Sequence, residues 1–223
     1  MNEKDIAKLK SRLPKKPGIM GKENYFNSAV LIPFILIKGE FHLLFERRAS
    51  GIRQGSEICF PGGEFDPAID KNFRDTAVRE TFEEIGVKKN KIKIIGQLDT
   101  LIGPTGVTVE PFIGILDLLG ISKIAIDKTE VEKVFTVPFS FFEKTLPDKY
   151  SVILQVSPVE VDDQGNETKT FPADELNLPS RYTKPWLGKK HSIFVYKTSG
   201  EVIWGITAKL IQELVSLTTK SRI

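Results

Sequence analysis

Short apolar runs, separated by Gly, Pro and charged residues, recur along most of the chain and predict a β-rich fold. The continuous apolar run from Ser28 to Lys38 indicates a buried strand, and a two-residue turn at Gly39-Glu40 leads into its partner, FHLLFER. Pro111 marks an edge or a bulge in a later strand. The middle of the chain has predicted strands at residues 91–98, 107–119 and 131–137.

The C-terminal part, residues 145–223, has the pattern of two hairpins followed by a helix. Its predicted segments are a strand at 150–161, a return strand at 167–171, an ordered loop at 172–190, and a closing hairpin of strands 191–196 and 201–204. Helical periodicity is found at residues 3–12, 139–144 and 207–217. Strands interleaved with a few helices predict the α/β class, of the α+β type, in which helices pack on a mixed central sheet. We expect one domain over residues 1–223, with residues 1–22 as a leader.

The stretch from Phe60 to Val87 joins a glycine-rich turn to a glutamate-rich helix. Pro61-Gly62-Gly63 ends the apolar run that precedes it. Asn72 is a good N-cap and Gly86 is a good helix stop, so we predict a helix of roughly three to four turns between them.

A helical wheel at about 100° per residue gives this helix an apolar arc. The arc contains Ala77, Val78, Thr81, Phe82 and Ile85. Glu84 falls inside the edge of the arc, where a merely solvated carboxylate would not lie. Glu80 and Glu84 are also an i,i+4 pair of like charges, which destabilises a helix unless a cation lies between them. Converging carboxylates suit Mg²⁺ or Mn²⁺, whereas a pair of glutamates on a helix is more often part of a plain acidic surface, so both interpretations stay open at this point.

Composition excludes several classes of protein and of site. The chain has 223 residues, of which 40% are hydrophobic and 27% charged, so a packed domain is expected rather than disorder. A formal charge of +3 gives no reason to expect nucleic-acid binding. One cysteine, Cys59, excludes an internal disulfide and a cysteine-rich zinc site. No apolar run approaches the length of a membrane span, so we expect no membrane partner and a cytoplasmic location.

The glutamate helix resembles the Nudix hydrolase signature, which is a Gly, a loop, and then Arg-Glu-apolar-any-Glu-Glu-any-Gly-apolar. Residues 63–87 carry it: Gly63 is followed by a loop and then by the run Arg79-Glu80-Thr81-Phe82-Glu83-Glu84-Ile85-Gly86-Val87. Thr81 replaces the usual aliphatic residue. The loop is also longer than the common form, and Asp70 is the best match for its acidic residue.

This resemblance implies a Nudix-like α/β/α sandwich and a Mg²⁺- or Mn²⁺-dependent pyrophosphatase. We assign Glu80, Glu83 and Glu84 as metal ligands, and the resemblance adds the backbone carbonyl of Gly63. Arg79 is expected to brace a glutamate rather than touch the substrate, because on the wheel it points away from Glu84. The general base stays open.

The candidates for the general base are a signature glutamate such as Glu80 or Glu83, or an acid from a later segment. Glu130 and Glu110 are the later acids that we consider. Glu110 would face the site only if odd-numbered apolar residues of its strand lie in the core.

The segment upstream, LLFERRASGIRQGSEICFPGG, is similar to the coenzyme A pyrophosphatase branch of this family. Arg47, Arg48 and Arg53 lie in it, close to the Gly turn, and guanidinium groups bind phosphate oxygens bidentately. We therefore predict that these arginines bind the substrate. The branch implies cleavage of the diphosphate of coenzyme A (CoA) or its thioesters into 3′,5′-ADP and 4′-phosphopantetheine, acylated or not.

Two other functions are considered. The same reaction on ADP-ribose, NADH or a dinucleoside polyphosphate would need only a different substrate pocket. A non-catalytic ligand sensor of the same fold would be favoured by loss of a signature glutamate, yet all three are present. The partner expected in each case is a small nucleotide, and a homodimer stays open.

Overall fold

The computed structural model describes residues 1–218, except for the side chains of Leu187 and Lys189. Within that part of the chain, the helices are α1 (Glu3–Arg12), α2 (Phe73–Ile85), α3 (Phe139–Lys144) and α4 (Gly205–Thr218). The strands are β1 (Phe26–Ile37), β2 (Glu40–Arg48), β3 (Ile58–Cys59), β4 (Gly62–Glu64), β5 (Ile92–Gln97), β6 (Leu101–Gly103), β7 (Val107–Leu116), β8 (Val131–Pro138), β9 (Asp148–Val156), β10 (Val159–Val161), β11 (Glu167–Lys169), β12 (Trp186–Lys197) and β13 (Val202–Trp204). None of the helices in residues 1–218 has the length and apolar character that a bilayer span requires.

The central sheet is mixed, as predicted. Its main path follows the order β3-β2-β1-β7-β5, and β4, β6 and β8 attach to β1, β7 and β2. The long central strands β1 and β7 run parallel, whereas the other pairs of this sheet are antiparallel. A second sheet, β13-β12-β9, and the small hairpin β10-β11 come from the C-terminal part of the chain.

Strand β1 is buried on both faces because layers cover both sides of the central sheet. Leu31 and Ile35 pack in a core cluster with buried residues of α2. Ile32 and Phe34, at the intervening positions, pack in a second cluster with residues of α3, α4 and β12. The alternation of side chains along a strand thus assigns one face to α2 and the other to the C-terminal layer. This arrangement confirms the predicted α/β/α sandwich.

The same alternation sets the direction of the side chains that end β2. Leu44 belongs to the cluster on the α2 face, and Phe45 belongs to the cluster on the opposite face. Continuing the period of two, Glu46 and Arg48 face α2, whereas Arg47 faces the C-terminal layer. Glu46 and Arg48 therefore face the layer of α2, and Arg47 between them faces the C-terminal layer.

Helix α2 begins and ends at the predicted residues, but its buried face is turned relative to the prediction. The buried side chains are Thr76, Ala77, Thr81, Glu84 and Ile85. On the wheel these span an arc from about 300° through 0° to about 120°, so Glu84 lies near the centre of the buried arc rather than at its edge. The prediction that Phe82 faces the core was wrong, because its position at about 180° lies outside this arc and its side chain is 45% exposed.

Three local predictions need correction. The turn after β1 is Lys38-Gly39 rather than Gly39-Glu40, with φ of 50° and 86°, because a tight hairpin turn of this type needs two residues at positive φ. The strand predicted over 150–161 is divided into β9 and β10, since Pro158 lies between them and has no N–H to donate to a partner strand. The loop predicted over 172–190 ends earlier, because β12 begins at Trp186 and pairs with β9.

Pro111 does not mark an edge strand, since β7 has neighbours on both sides. Strand β5 pairs with β7 up to Phe112, and β6 pairs with it from Val109, so Pro111 lies between the two partners. The carbonyl of Pro111 accepts a hydrogen bond from the Leu98 N–H at 2.9 Å on that side. Pro111, which has no N–H to donate, therefore lies where the neighbour of β7 changes from β6 to β5. The end of the predicted C-terminal part, residues 219–223, lies outside the described residues.

Candidate active site

The glutamate helix is held at both ends by the residues that the sequence indicated. The Asn72 side chain accepts a hydrogen bond from the Asp75 N–H at 3.1 Å, which satisfies one of the free donors of the first turn. Gly86 ends the helix with a left-handed φ of 68°, a conformation that glycine adopts without strain. Strand β4, which carries Gly63, pairs with β1. The helix and the glycine turn therefore rest on the same central strand.

Glu84 is the most buried of the three signature glutamates, with 2% of its surface exposed. Its Oε2 accepts a hydrogen bond from the Gly62 N–H at 2.9 Å. Its Oε1 lies 3.9 Å from Nη1 of Arg48, the residue of β2 that faces α2. The carboxylate thus connects the helix to the glycine turn and to the end of β2.

Glu80 lies directly against Gly63. A Cβ atom built on Gly63 would lie 2.5 Å from both Cδ and Oε1 of Glu80, which is closer than carbon and oxygen atoms can approach without moving apart. Only glycine leaves room for the carboxylate at this place. The backbone of Gly63 and the carboxylate of Glu80 therefore form a cradle that a side chain would fill.

Arg79 gathers three carboxylates on one side of the helix. Its Nε and Nη2 donate to the two oxygens of Asp70 at 2.9 and 2.8 Å. Its Nη1 donates to Glu80 at 2.7 Å and to Glu83 at 2.8 Å. Asp70 also accepts from the Thr76 hydroxyl at 2.9 Å. The guanidinium is thus saturated by protein acceptors, and this geometry agrees with the predicted bracing of a glutamate.

The electrostatics divide the acids into two groups. The hydrogen bonds from Arg79 lower the pKa of Asp70 to about 2, so this carboxylate is a fixed anion. Burial, and after it the neighbouring Glu46 carboxylate, raise the pKa of Glu84 to about 9. Burial also raises the pKa of Glu80. The nearby Arg79 and Arg48 do not offset this burial, and a divalent cation would favour the ionised form of both carboxyl groups.

Glu46 is the residue that the sequence analysis missed. It is fully buried in β2 on the α2 face, and burial raises its pKa to about 7. Its Oε1 accepts a hydrogen bond from the thiol of Cys59 at 3.3 Å. The signal was the period of two in LLFER, which puts this acid on the same face as Leu44 and therefore under the helix that carries the glutamates.

The three arginines predicted to bind substrate are separated by the structure. Arg48 faces Glu84, as described above, and its Nε donates to the carbonyl of Arg53 at 3.3 Å. The guanidinium of Arg53 lies 5.6 Å from the ring of Phe26. The prediction that Arg47 lies at the site was wrong, because strand alternation turns it to the opposite face, where it pairs with Glu201.

The two later acids among the candidate bases, Glu130 and Glu110, have different surroundings. Glu130 is exposed near the start of β8. Its charge raises the pKa of both Glu46 and Glu80, so it borders the cluster of acids that includes these two residues. Glu110 is buried and already bound. Its oxygens contact Lys22 at 2.8 Å, the Gln97 amide at 2.9 Å and the Thr100 hydroxyl at 2.8 Å. Both oxygens of Glu110 are therefore occupied by protein donors.

An open cavity of about 430 Å³ adjoins Arg79 and Glu80. Its other walls come from the loop after β4 and include Phe65, Pro67 and Ile69. Within residues 1–218, no three Cys, His, Asp or Glu side chains are already gathered in metal-ligating geometry. Glu83, which is 52% exposed, is held by Arg79. The buried carboxyl groups and the Gly63 cradle nevertheless have the oxygen donors that Mg²⁺ or Mn²⁺ binds.

Comparison with known proteins gives a consistent result. The family model described as the NUDIX domain matches residues 26–187, which include β1, the glycine turn and α2. The Uncharacterized Nudix hydrolase NudL of Photorhabdus laumondii is 30% identical over 210 residues, covering 94% of this chain and 93% of that protein.

A second relative is the mouse Peroxisomal coenzyme A diphosphatase NUDT7. It is 33% identical over 141 residues, which cover 61% of this chain and 58% of that protein. Among solved structures, a MutT/nudix family protein from Enterococcus faecalis aligns with 99% of this chain and 71% of its own, with a TM-score of 0.47 and 13% identity.

Proposed function

Because this chain belongs to the Nudix hydrolase family, we propose that it hydrolyses the diphosphate bond of CoA or of a CoA thioester. The products are 3′,5′-ADP and 4′-phosphopantetheine or its acyl derivative. In this reaction water adds to one phosphorus, the P–O bond to the bridging oxygen breaks, and a base accepts a proton from the water.

The observation that carries the hydrolase proposal is the pair of partly or fully buried carboxyls, Glu80 and Glu84, beside the Gly63 cradle. In the proposed site, the side chains of Glu80, Glu83 and Glu84 and the carbonyl of Gly63 hold Mg²⁺ or Mn²⁺. Such an ion, when bound, neutralises phosphoryl oxygens and lowers the pKa of water. Arg79 acts as a positioning residue, since its donors are occupied by Asp70 and the glutamates.

Two further residues complete the proposed site. Arg48 binds a phosphate oxygen, because it is the arginine of β2 that lies on the side of Glu84. Glu130 accepts the proton from water, because it is exposed and borders the acid cluster that includes Glu80. The open cavity beside Glu80 has room for part of the substrate.

The choice of CoA is supported by the segment LLFERRASGIRQGSEICFPGG and by the mouse relative, which is a coenzyme A diphosphatase. Arg53, in the loop that enters the Gly turn, is exposed and suited to the 3′-phosphate that distinguishes CoA from dephospho-CoA.

A substrate panel tests the proposal. CoA, dephospho-CoA, ADP-ribose, NADH and diadenosine tetraphosphate are incubated with the protein and Mg²⁺ or Mn²⁺, and products are identified by mass. We expect CoA to be cleaved fastest and dephospho-CoA more slowly. Rapid cleavage of another nucleotide with none of CoA would reject the substrate assignment, and no cleavage of any member would reject the activity.

A further inference from the structure

Glu46 is buried without adequate partners. None of its surface is exposed, and among the described residues no donor reaches its Oε2. Its Oε1 accepts from the Cys59 thiol at 3.3 Å, and a thiol is a weak donor. A carboxyl group in this state costs free energy that an apolar side chain of similar size would not. Stability therefore does not explain this residue.

The direction of the side chain indicates what it serves. Glu46 lies between Leu44 and Arg48 on the face of β2 that is covered by α2. The charged groups that act on it come from each neighbouring element: Arg48 from β2, Glu80 from α2, and Glu130 from the residue before β8. Glu84 of α2 in turn has Glu46 as its strongest charged neighbour. These four acids meet two guanidinium groups, Arg48 beside Glu84 and Arg79 on Glu80. Arg79 is also shared with Asp70 and Glu83, so the acids outnumber the cations.

We propose that Glu46 is a further ligand of the divalent ion, contributing its unpartnered Oε2 from β2 to the oxygens supplied by α2 and Gly63. The inference rests on the proposed function, since it requires that the carboxylates of α2 hold an ion. It adds a ligand from the central sheet to a set that the signature confines to the turn and the helix. The oxygen donors that β2, α2 and Gly63 would contribute are of the kind that Mg²⁺ and Mn²⁺ prefer.

Binding of Mn²⁺ alone tests this assignment without reference to activity. The full chain is freed of metal with EDTA and titrated with Mn²⁺, and free Mn²⁺ is measured by electron paramagnetic resonance. The Glu46→Gln variant keeps the shape of the side chain and removes its charge. We expect its Kd for Mn²⁺ to rise at least about tenfold and the thermal stabilisation by Mn²⁺ to shrink accordingly.

Two controls separate this effect from general damage. Glu132→Gln removes an exposed carboxylate from β8, which pairs with β2, and should leave the Kd within about twofold of wild type. Circular dichroism and Tm in EDTA establish whether Glu46→Gln is folded. If it is not, Glu46→Leu replaces it, because an apolar side chain suits the buried position.

The outcomes are distinct. Equal Mn²⁺ affinity of wild type and folded Glu46→Gln would overturn the ligand assignment and leave the proposed function intact. Failure of the wild type to bind Mn²⁺ would overturn both. Weakened binding in Glu46→Gln, with Glu132→Gln unchanged, is the result that the proposal requires.

Discussion

At Glu84 the needs of stability and of function oppose each other. The carboxyl lies in the centre of the buried arc of α2, and burial raises its pKa to about 9. An unfolded chain would ionise this group near pH 4.5. Between these two pH values the folded protein without metal binds a proton that the unfolded chain releases. The contribution of Glu84 to the unfolding free energy therefore falls as pH rises from about 4.5 to about 9.

Replacing Glu84 by Gln should make the metal-free protein more stable and the enzyme inactive. The variant lacks the titration, so its advantage over wild type should grow with pH and reach on the order of 1–3 kcal/mol at pH 8. Turnover should fall more than about a hundredfold. Urea unfolding in EDTA at pH 5 and pH 8, together with kcat, checks both parts. A stability difference that is independent of pH would contradict the buried-charge explanation.

Arg79 is the residue through which the helix orients its acids. Arg79→Lys keeps the charge but loses the planar fork that reaches Asp70, Glu80 and Glu83 together. We expect kcat to fall by about 10–100-fold with a smaller change in KM. Arg74→Lys, an exposed change on the same helix, is the matched control. Equal kinetics of the two variants would show that bracing by Arg79 is dispensable.

At the scale of elements, the turn and the helix form one unit because Glu80 rests on Gly63. Gly63→Ala should displace the Glu80 carboxyl, which is the flexible partner in this contact, and reduce kcat by at least about tenfold with a minor loss of stability. Gly96→Ala in β5 is a suitable control, since a Cβ there meets nothing within 4 Å. Steady-state kinetics and Tm should be compared for both. Normal turnover of Gly63→Ala would exclude the cradle from the site.

The same elements show which features local sequence determines. Asn72 and Gly86 predicted the ends of α2 because caps act through neighbouring backbone groups. Glu84 was identified from spacing alone. Phe82 and Arg47 were placed wrongly, since the face that an element buries depends on strands that are distant in sequence. Glu46 was missed for a related reason: its burial follows only when α2 is known to cover β2. The catalytic and metal-binding roles of these residues stay predictions.

At the scale of the whole molecule, an ion cluster joins the C-terminal hairpin to the central sheet. Glu201 pairs with Arg47 of β2 and, at 2.6 Å, with Lys133 of β8, and 11% of its side chain is exposed. Near it, Tyr196 of β12 packs in the core cluster of that face. The local pattern predicted these C-terminal strands, but not the face of the sheet on which they pack, because that depends on contacts over more than a hundred residues.

Glu201→Gln should loosen this attachment. Glutamine keeps one acceptor oxygen but carries no charge, so Arg47 and Lys133 lose the carboxylate that they share, and the unfolding free energy should fall by about 1–3 kcal/mol. Mn²⁺ affinity should stay unchanged, because the cluster lies on the face away from α2. Glu167→Gln, which removes an exposed carboxylate of β11, is the control. Urea unfolding measures the stability change, and a loss no larger than that of the control would contradict the role of the cluster.

The division of β2 between its two faces also limits how this protein can change. A deletion or insertion of one residue within positions 46–48 would turn the following side chains to the opposite face of the sheet. An arginine that now pairs with Glu201 would then face α2, and one that now faces Glu84 would turn away from it. Evolution in this strand should therefore proceed by substitution, or by length changes of two residues. A directed-evolution library aimed at new substrates should therefore keep the length of this segment fixed, so that positions 46 and 48 stay on the α2 face and position 47 stays on the opposite face.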